Sequence, residues 1–129
     1  MADDLLDKNV EVIRADMIVR LVNLVLVDAI QRQATVILFC NQAVADFFLV
    51  KYQILGVFYN IMAPPAKILP LFINRLKEMA NLDQNVTDKI QEGVFNLYLG
   101  KNQTKEVRFQ VRFDPANSDE LVRLTLEKV

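Results

Sequence analysis

Residues 107–113, Val-Arg-Phe-Gln-Val-Arg-Phe, alternate apolar and polar without a break. A period of two belongs to a strand that buries one face and wets the other. Val107, Phe109, Val111 and Phe113 are expected inward, and Arg108, Gln110 and Arg112 outward. Residues 121–126 repeat the pattern, with Val122, Leu124 and Leu126 inward. The chain therefore has to build a sheet with one apolar face and supply something to cover it.

Two segments can supply that cover. From Met17 to about Gln33 the polar residues Arg20, Asn23, Asp28 and Gln31 fall in one sector at helical spacing, and the rest of the circumference is apolar. So narrow a polar stripe predicts a mostly buried helix. Asp16 is its expected cap. A second helix is expected at about 70–80. Pro70 stands at its start because proline is unfit for a helix interior. That helix should bury Phe72, Ile73, Leu76 and Met79 and expose Asn74, Lys77 and Glu78. A short turn at 65–69 precedes it.

Residues 35–40, 47–55 and 57–62 read as strands, with a turn at 41–46 and a hairpin at Gly56. Residues 81–91 read as a loop, 94–99 as a strand and 100–103 as its turn. The order is helix, three strands, helix, three strands, which predicts an α+β fold. Residues 1–13 are expected to be an acidic N-terminal arm or short docking helix, and 14–129 one α+β domain. There is no internal repeat or interdomain linker.

Chemistry is sparse. The chain has no His, which removes imidazole base catalysis and His metal ligation. Its one cysteine, Cys40, lies in the apolar run 36–40 and is expected to be a buried structural thiol. The three glycines, Gly56, Gly93 and Gly100, are expected at strand ends or turns, and no phosphate-binding loop motif occurs. The carboxylates Asp28, Asp46, Glu78, Asp83 and Asp88 are spread over different elements. No catalytic residue, metal site or cofactor is expected, and the chain is read as a non-enzyme.

Charge and hydropathy narrow the class further. Lys and Arg number 15 against 16 Asp and Glu, which argues against a nucleic-acid binder. The longest apolar stretch, Met17 to Ile30, is interrupted by Arg20, Asn23 and Asp28. It is too short for a transmembrane segment, which needs about 20 apolar residues. A cytoplasmic location is expected.

Apolar residues make up 53% of the chain, and the excess concentrates at 36–50. Two readings are open there. The run can be a central strand buried on both faces, or an apolar sheet face for a partner. In the second case Leu38, Phe39, Phe47, Phe48 and Leu49 are the candidate interface. Lys51 and Arg75 are candidates for a residual anion contact, and solvated surface positions are the alternative for both.

Three stretches carry a family resemblance. Residues 19–30, Val-Arg-Leu-Val-Asn-Leu-Val-Leu-Val-Asp-Ala-Ile, resemble the opening helix of the domain that precedes the motor in type II secretion and type IV pilus assembly ATPases. Leu5-Leu6-Asp7 resembles a run often found upstream of it. Residues 54–65, Ile-Leu-Gly-Val-Phe-Tyr-Asn-Ile-Met-Ala-Pro-Pro, resemble that family's I-D-G-V-L-x-x-x-x-x-P-P hairpin. Residues 74–83, Asn-Arg-Leu-Lys-Glu-Met-Ala-Asn-Leu-Asp, resemble its S-R-[IL]-K-x-M-A-x-L-D helix. The resemblance covers roughly residues 5–126 and implies a PAS-like sheet of about six strands with helices mainly on one face.

The departures are as specific. The family's S-D-[IL]-H-[IL]-E-P becomes Ala34-Thr35-Val36-Ile37-Leu38-Phe39-Cys40-Asn41. Its R-x-R-[FY]-R-[IV]-D-G strand becomes Leu49-Val50-Lys51-Tyr52-Gln53-Ile54-Leu55-Gly56. Its R-L-P-Q-D-G-R loop becomes Asn85-Val86-Thr87-Asp88-Lys89-Ile90-Gln91-Glu92-Gly93. The resemblance implies arginines reaching toward nucleotide on the motor; of these only Arg75 stands at a matching position. The expected function is a non-catalytic assembly module that forms a homodimer or docks on a protein partner such as a secretion or pilus ATPase. The alternative is a PAS-like small-ligand sensor with Tyr52, Gln53 and Cys40 as polar contacts.

Overall fold

The computed structural model describes residues 2–42 and 45–128, with side chains from Ala15 to Glu127 outside the gap. Among the described residues the chain forms two α-helices, two single-turn 3-10 helices and six strands. The helices are α1 (Ala2–Gln31) and α2 (Leu69–Met79). The strands are β1 (Val36–Asn41), β2 (Phe48–Ile54), β3 (Val57–Met62), β4 (Gln91–Leu99), β5 (Lys105–Phe113) and β6 (Val122–Lys128). All neighbours pair antiparallel, in the order β3-β2-β1-β6-β5-β4. Both helices contribute to the core on one face, so the architecture is consistent with a PAS-like α+β fold.

The pairing sorts the side chains. Opposite residues of an antiparallel pair share a face. Ile37 and Phe39 therefore lie with Val50 and Tyr52 of β2 and with Val122 and Leu124 of β6. Val107, Phe109, Val111 and Phe113 join them, as their alternation requires. Against this face α1 lays Ile18, Val22, Val25, Leu26, Ala29 and Ile30, and α2 lays Leu69, Phe72 and Leu76. Phe39, Phe48 and Phe72 form an aromatic triangle with centroids 5.6–5.8 Å apart. On the other face Val36, Leu38 and Cys40 form a second, small cluster with Leu49 beside it. β1 is thus a central strand buried on both sides.

Both helices end the same way. Gln33 adopts a left-handed φ of 61°, its N–H donates to the Ile30 carbonyl, and the Ala34 N–H reaches back to Ala29. Asn81 does the same at φ 56°, with Asn81 N–H to Glu78 and Leu82 N–H to Lys77. This double return satisfies carbonyls that a helix end otherwise leaves orphaned. The start of α1 departs from expectation. Asp16 does not cap a helix; α1 runs through it, and its carboxylate pairs with Arg20 one turn on at 2.9 Å.

Tyr52 fastens α1 to the sheet. Its fully buried hydroxyl lies 3.0 Å from the Val25 carbonyl and 3.1 Å from Asp28 Oδ2. Burial, and then the Asp28 carboxylate, push the phenol well above its ordinary 10.0. Below pH 10 folded and unfolded chains both keep the proton, and this contribution is complete. Above it the unfolded chain ionises first, so stability falls as pH rises. Tyr52→Phe is expected to cost about 1–2 kcal/mol at neutral pH and to flatten the alkaline decline, as urea melts on either side of pH 10 would read.

Candidate protein interface

The far end of the β2–β3 hairpin, residues 55–60, stands outside the core. Its two turn residues, Leu55 and Gly56, have φ of 52° and 81°. Positive φ at both central positions is the two-residue turn that suits strand twist. Glycine accepts it freely. Leucine does not, because its Cβ crowds the backbone in the left-handed region. Leu55 is also 94% exposed, so packing returns nothing for that strain. An Asn or Asp there would fit better.

The strand that follows is open on its outer edge. Among the described residues β3 pairs only with β2. Val57, Phe58, Tyr59 and Asn60 are all exposed, on both faces of the sheet. The pairing is Ile54–Val57, Gln53–Phe58, Tyr52–Tyr59 and Lys51–Asn60. In a two-residue hairpin the residues flanking the turn exchange hydrogen bonds, and every second pair does so. The N–H and C=O groups of Val57 and Tyr59 thus point to β2, and those of Phe58 and Asn60 point away from the sheet. No charged residue occurs from Tyr52 to Ala66. Sheet edges are usually defended by a charge, a proline or a cover. The bulge between Val50 and Lys51 offers some defence, but only beyond Asn60. The opposite edge, β4, carries Glu92, which pairs with Arg112 at 3.6 Å.

The residues expected at an interface are split up by the fold. Phe39 and Phe48 belong to the core triangle, and Leu38 is buried on the other face of the sheet. Leu49 is half-buried beside it, and only Phe47 is exposed. The apolar run at 36–40 reflects the double burial of β1, and together these residues do not form a surface. The two candidate anion contacts are likewise apart. Lys51 lies on the sheet face away from the helices. Arg75 sits on α2, its Nη1 3.4 Å from Glu78 and its Nε buried without a partner among the described residues. It lines a groove of about 440 Å³ between α1 and α2 with Ile18, Val19, Leu71 and Glu78.

Tyr52, Gln53 and Cys40 do not converge on one cavity. Tyr52 faces α1, while Gln53 and Cys40 face the other side. Gln53 is engaged by the Thr35 hydroxyl, and the Cys40 thiol donates to the Asp119 carbonyl at 2.9 Å. Burial pushes that thiol up, against reactivity.

Lys77 was expected in solvent and is 4% exposed. The residues after α2 fold back over it, and its Nζ donates to the Val86 carbonyl at 2.6 Å and lies 5.5 Å from the Phe113 ring centroid. Burial lowers its pKa, with Asp83 opposing. It lines a groove of about 310 Å³ with Leu69, Ile73, Lys89, Phe113 and Leu121. Helical spacing alone assigns Lys77 to the polar side, because nothing local announces a loop folding onto it. The exposed hairpin was hidden for a related reason: strand pattern does not say which apolar residues a sheet edge leaves uncovered.

The fold is an open antiparallel sheet with an apolar edge, a kind of edge to which a further strand can add. The chain is related to a portion of the type II secretion and type IV pilus assembly ATPases. It is 36% identical over 109 residues to the type IV pilus assembly ATPase PilB of Myxococcus xanthus, a match covering 84% of this chain and 19% of that protein. It is 30% identical over 125 residues to type II secretion system protein E of Pectobacterium carotovorum subsp. carotovorum, covering 97% of this chain and 23% of that protein. The chain spans about a fifth of the length of these curated relatives. The relationship is consistent with the N-terminal domain of such ATPases. No family model matches the chain. Among the described residues no helix is long and apolar enough to cross a membrane.

Proposed function

We propose that this chain is a non-catalytic interaction module of a type II secretion or type IV pilus system, acting in the cytoplasm by self-association or by docking on an assembly ATPase. The observation that carries this reading is the β3 edge: exposed, uncharged, and led by a strained and exposed leucine. Strain that packing does not repay marks positions kept for contact with something else. The relationship to two assembly ATPases supports the kind of system. The replaced polar motifs support a non-catalytic role, since across 34–41 and 49–56 neutral residues stand at the charged positions of the related motifs, Lys51 alone keeping a charge.

The test is a pull-down of a purified type IV pilus assembly ATPase on the immobilised chain, run beside light scattering of the chain alone. Binding in the first, or a dimer in the second, is expected. A strict monomer that retains no secretion or pilus ATPase overturns the reading.

A further inference from the structure

We infer that the β3 edge is the seat of a second copy of this chain, paired antiparallel across a two-fold axis centred on Tyr59. This rests on the interaction reading above and names its surface and occupant.

The geometry is self-complementary. A two-fold antiparallel pairing centred on Tyr59 sets Phe58 of one copy opposite Asn60 of the other, and the reverse. Those are the two residues whose backbone groups point off the sheet. The four N–H and four C=O groups they present in the two copies form four hydrogen bonds, all inside the regular stretch that ends before the bulge. Tyr59 then faces Tyr59 of the second copy at a non-hydrogen-bonded position, where side chains come closest. The charge pattern favours the same occupant. Uncharged residues 52–66 bring no like charges together in a symmetric contact and gain nothing from a charged partner. One short strand is a small contact, so a weak dimer is expected, with dissociation in roughly the micromolar range or above.

The test combines a concentration series by sedimentation with three variants. Tyr59→Cys should form an intermolecular disulfide under mild oxidation, while Phe58→Cys at a hydrogen-bonded position should not. The native Cys40 is buried and does not compete. Asn60→Pro removes an outward N–H without touching the β2–β3 ladder and should abolish the dimer. Should it perturb the strand, Tyr59→Lys places two cations face to face and should do the same, with circular dichroism confirming the fold. A monomer at every concentration overturns the inference, as does a dimer indifferent to Asn60→Pro and Tyr59→Lys. A monomer that still binds a pilus ATPase overturns only this inference and leaves the proposed function standing; a monomer that binds none overturns both.

Discussion

Phe72→Ala is expected to lower the unfolding free energy by about 3–5 kcal/mol, a large part of the roughly 5–15 kcal/mol that holds a domain of this kind together. Phe72 is the residue by which α2 grips the sheet. Its ring contacts Phe39 of β1 at 5.8 Å and Phe48 of β2 at 5.6 Å between centroids, the second edge-on. All three rings are almost wholly buried. Truncation removes the transfer free energy of one ring and leaves a void that Phe39 and Phe48, held in central strands, cannot fill. The partly exposed Phe58 is the control: Phe58→Ala deletes the same atoms from a residue 42% exposed at the sheet edge, where no closed cavity is left, and should cost less than half as much. Urea melts of the two variants against the parent read the difference. Similar losses for both would contradict the assigned core.

Gly93→Val is expected to cost about 2–3 kcal/mol although valine favours strands over glycine. Gly93 sits in β4 opposite Val111, where the strand passes under the end of α2. A Cβ there would stand 3.0 Å from Ala80 Cβ, 3.2 Å from Leu82 Cδ1 and 3.3 Å from the Ala80 carbonyl oxygen. The first and last belong to the helix end, while Leu82 Cδ1 is the far end of a flexible side chain and can turn aside. The neighbour that has to give way is therefore α2 itself. Strand propensity is worth at most about 1 kcal/mol in the other direction, so the clash decides the sign. Val94→Ala, next in sequence but pointing to solvent, should stay within about 0.5 kcal/mol. Thermal melts settle it; a stabilised Gly93→Val would mean that α2 does not lie where it is placed.

Much of the fold was legible because its periodicities are clean. The alternation at 107–113 and 121–126 fixes the inward residues of β5 and β6, and the polar stripe places α1, although Met17 and Leu24 on its apolar circumference remain exposed. Pro70 marks the start of α2 within one residue. Three things were hidden, each because tertiary contact overrides local pattern. β4 begins at Gln91, three residues before its apolar pattern does, and Gly93 is inside it, where a Cβ would crowd Ala80. Lys77 follows helical spacing outward, yet the next loop covers it. The expected interface failed at Phe39 and Phe48 because apolar density measures burial and cannot say by what. The hairpin 54–60 is equally apolar and turned out to be the exposed part. Its signal lay in the turn, where Leu-Gly stands at a place suited to Asn-Gly.

The measurement that bears most directly on a role in protein contact is the amide NMR spectrum of the isotope-labelled chain, recorded first over a concentration series and then with a type IV pilus assembly ATPase added. Shifts concentrated at Val57–Asn60 are predicted in at least one of the two titrations. A spectrum unmoved by both, or shifts confined to the groove at Lys77, would contradict it.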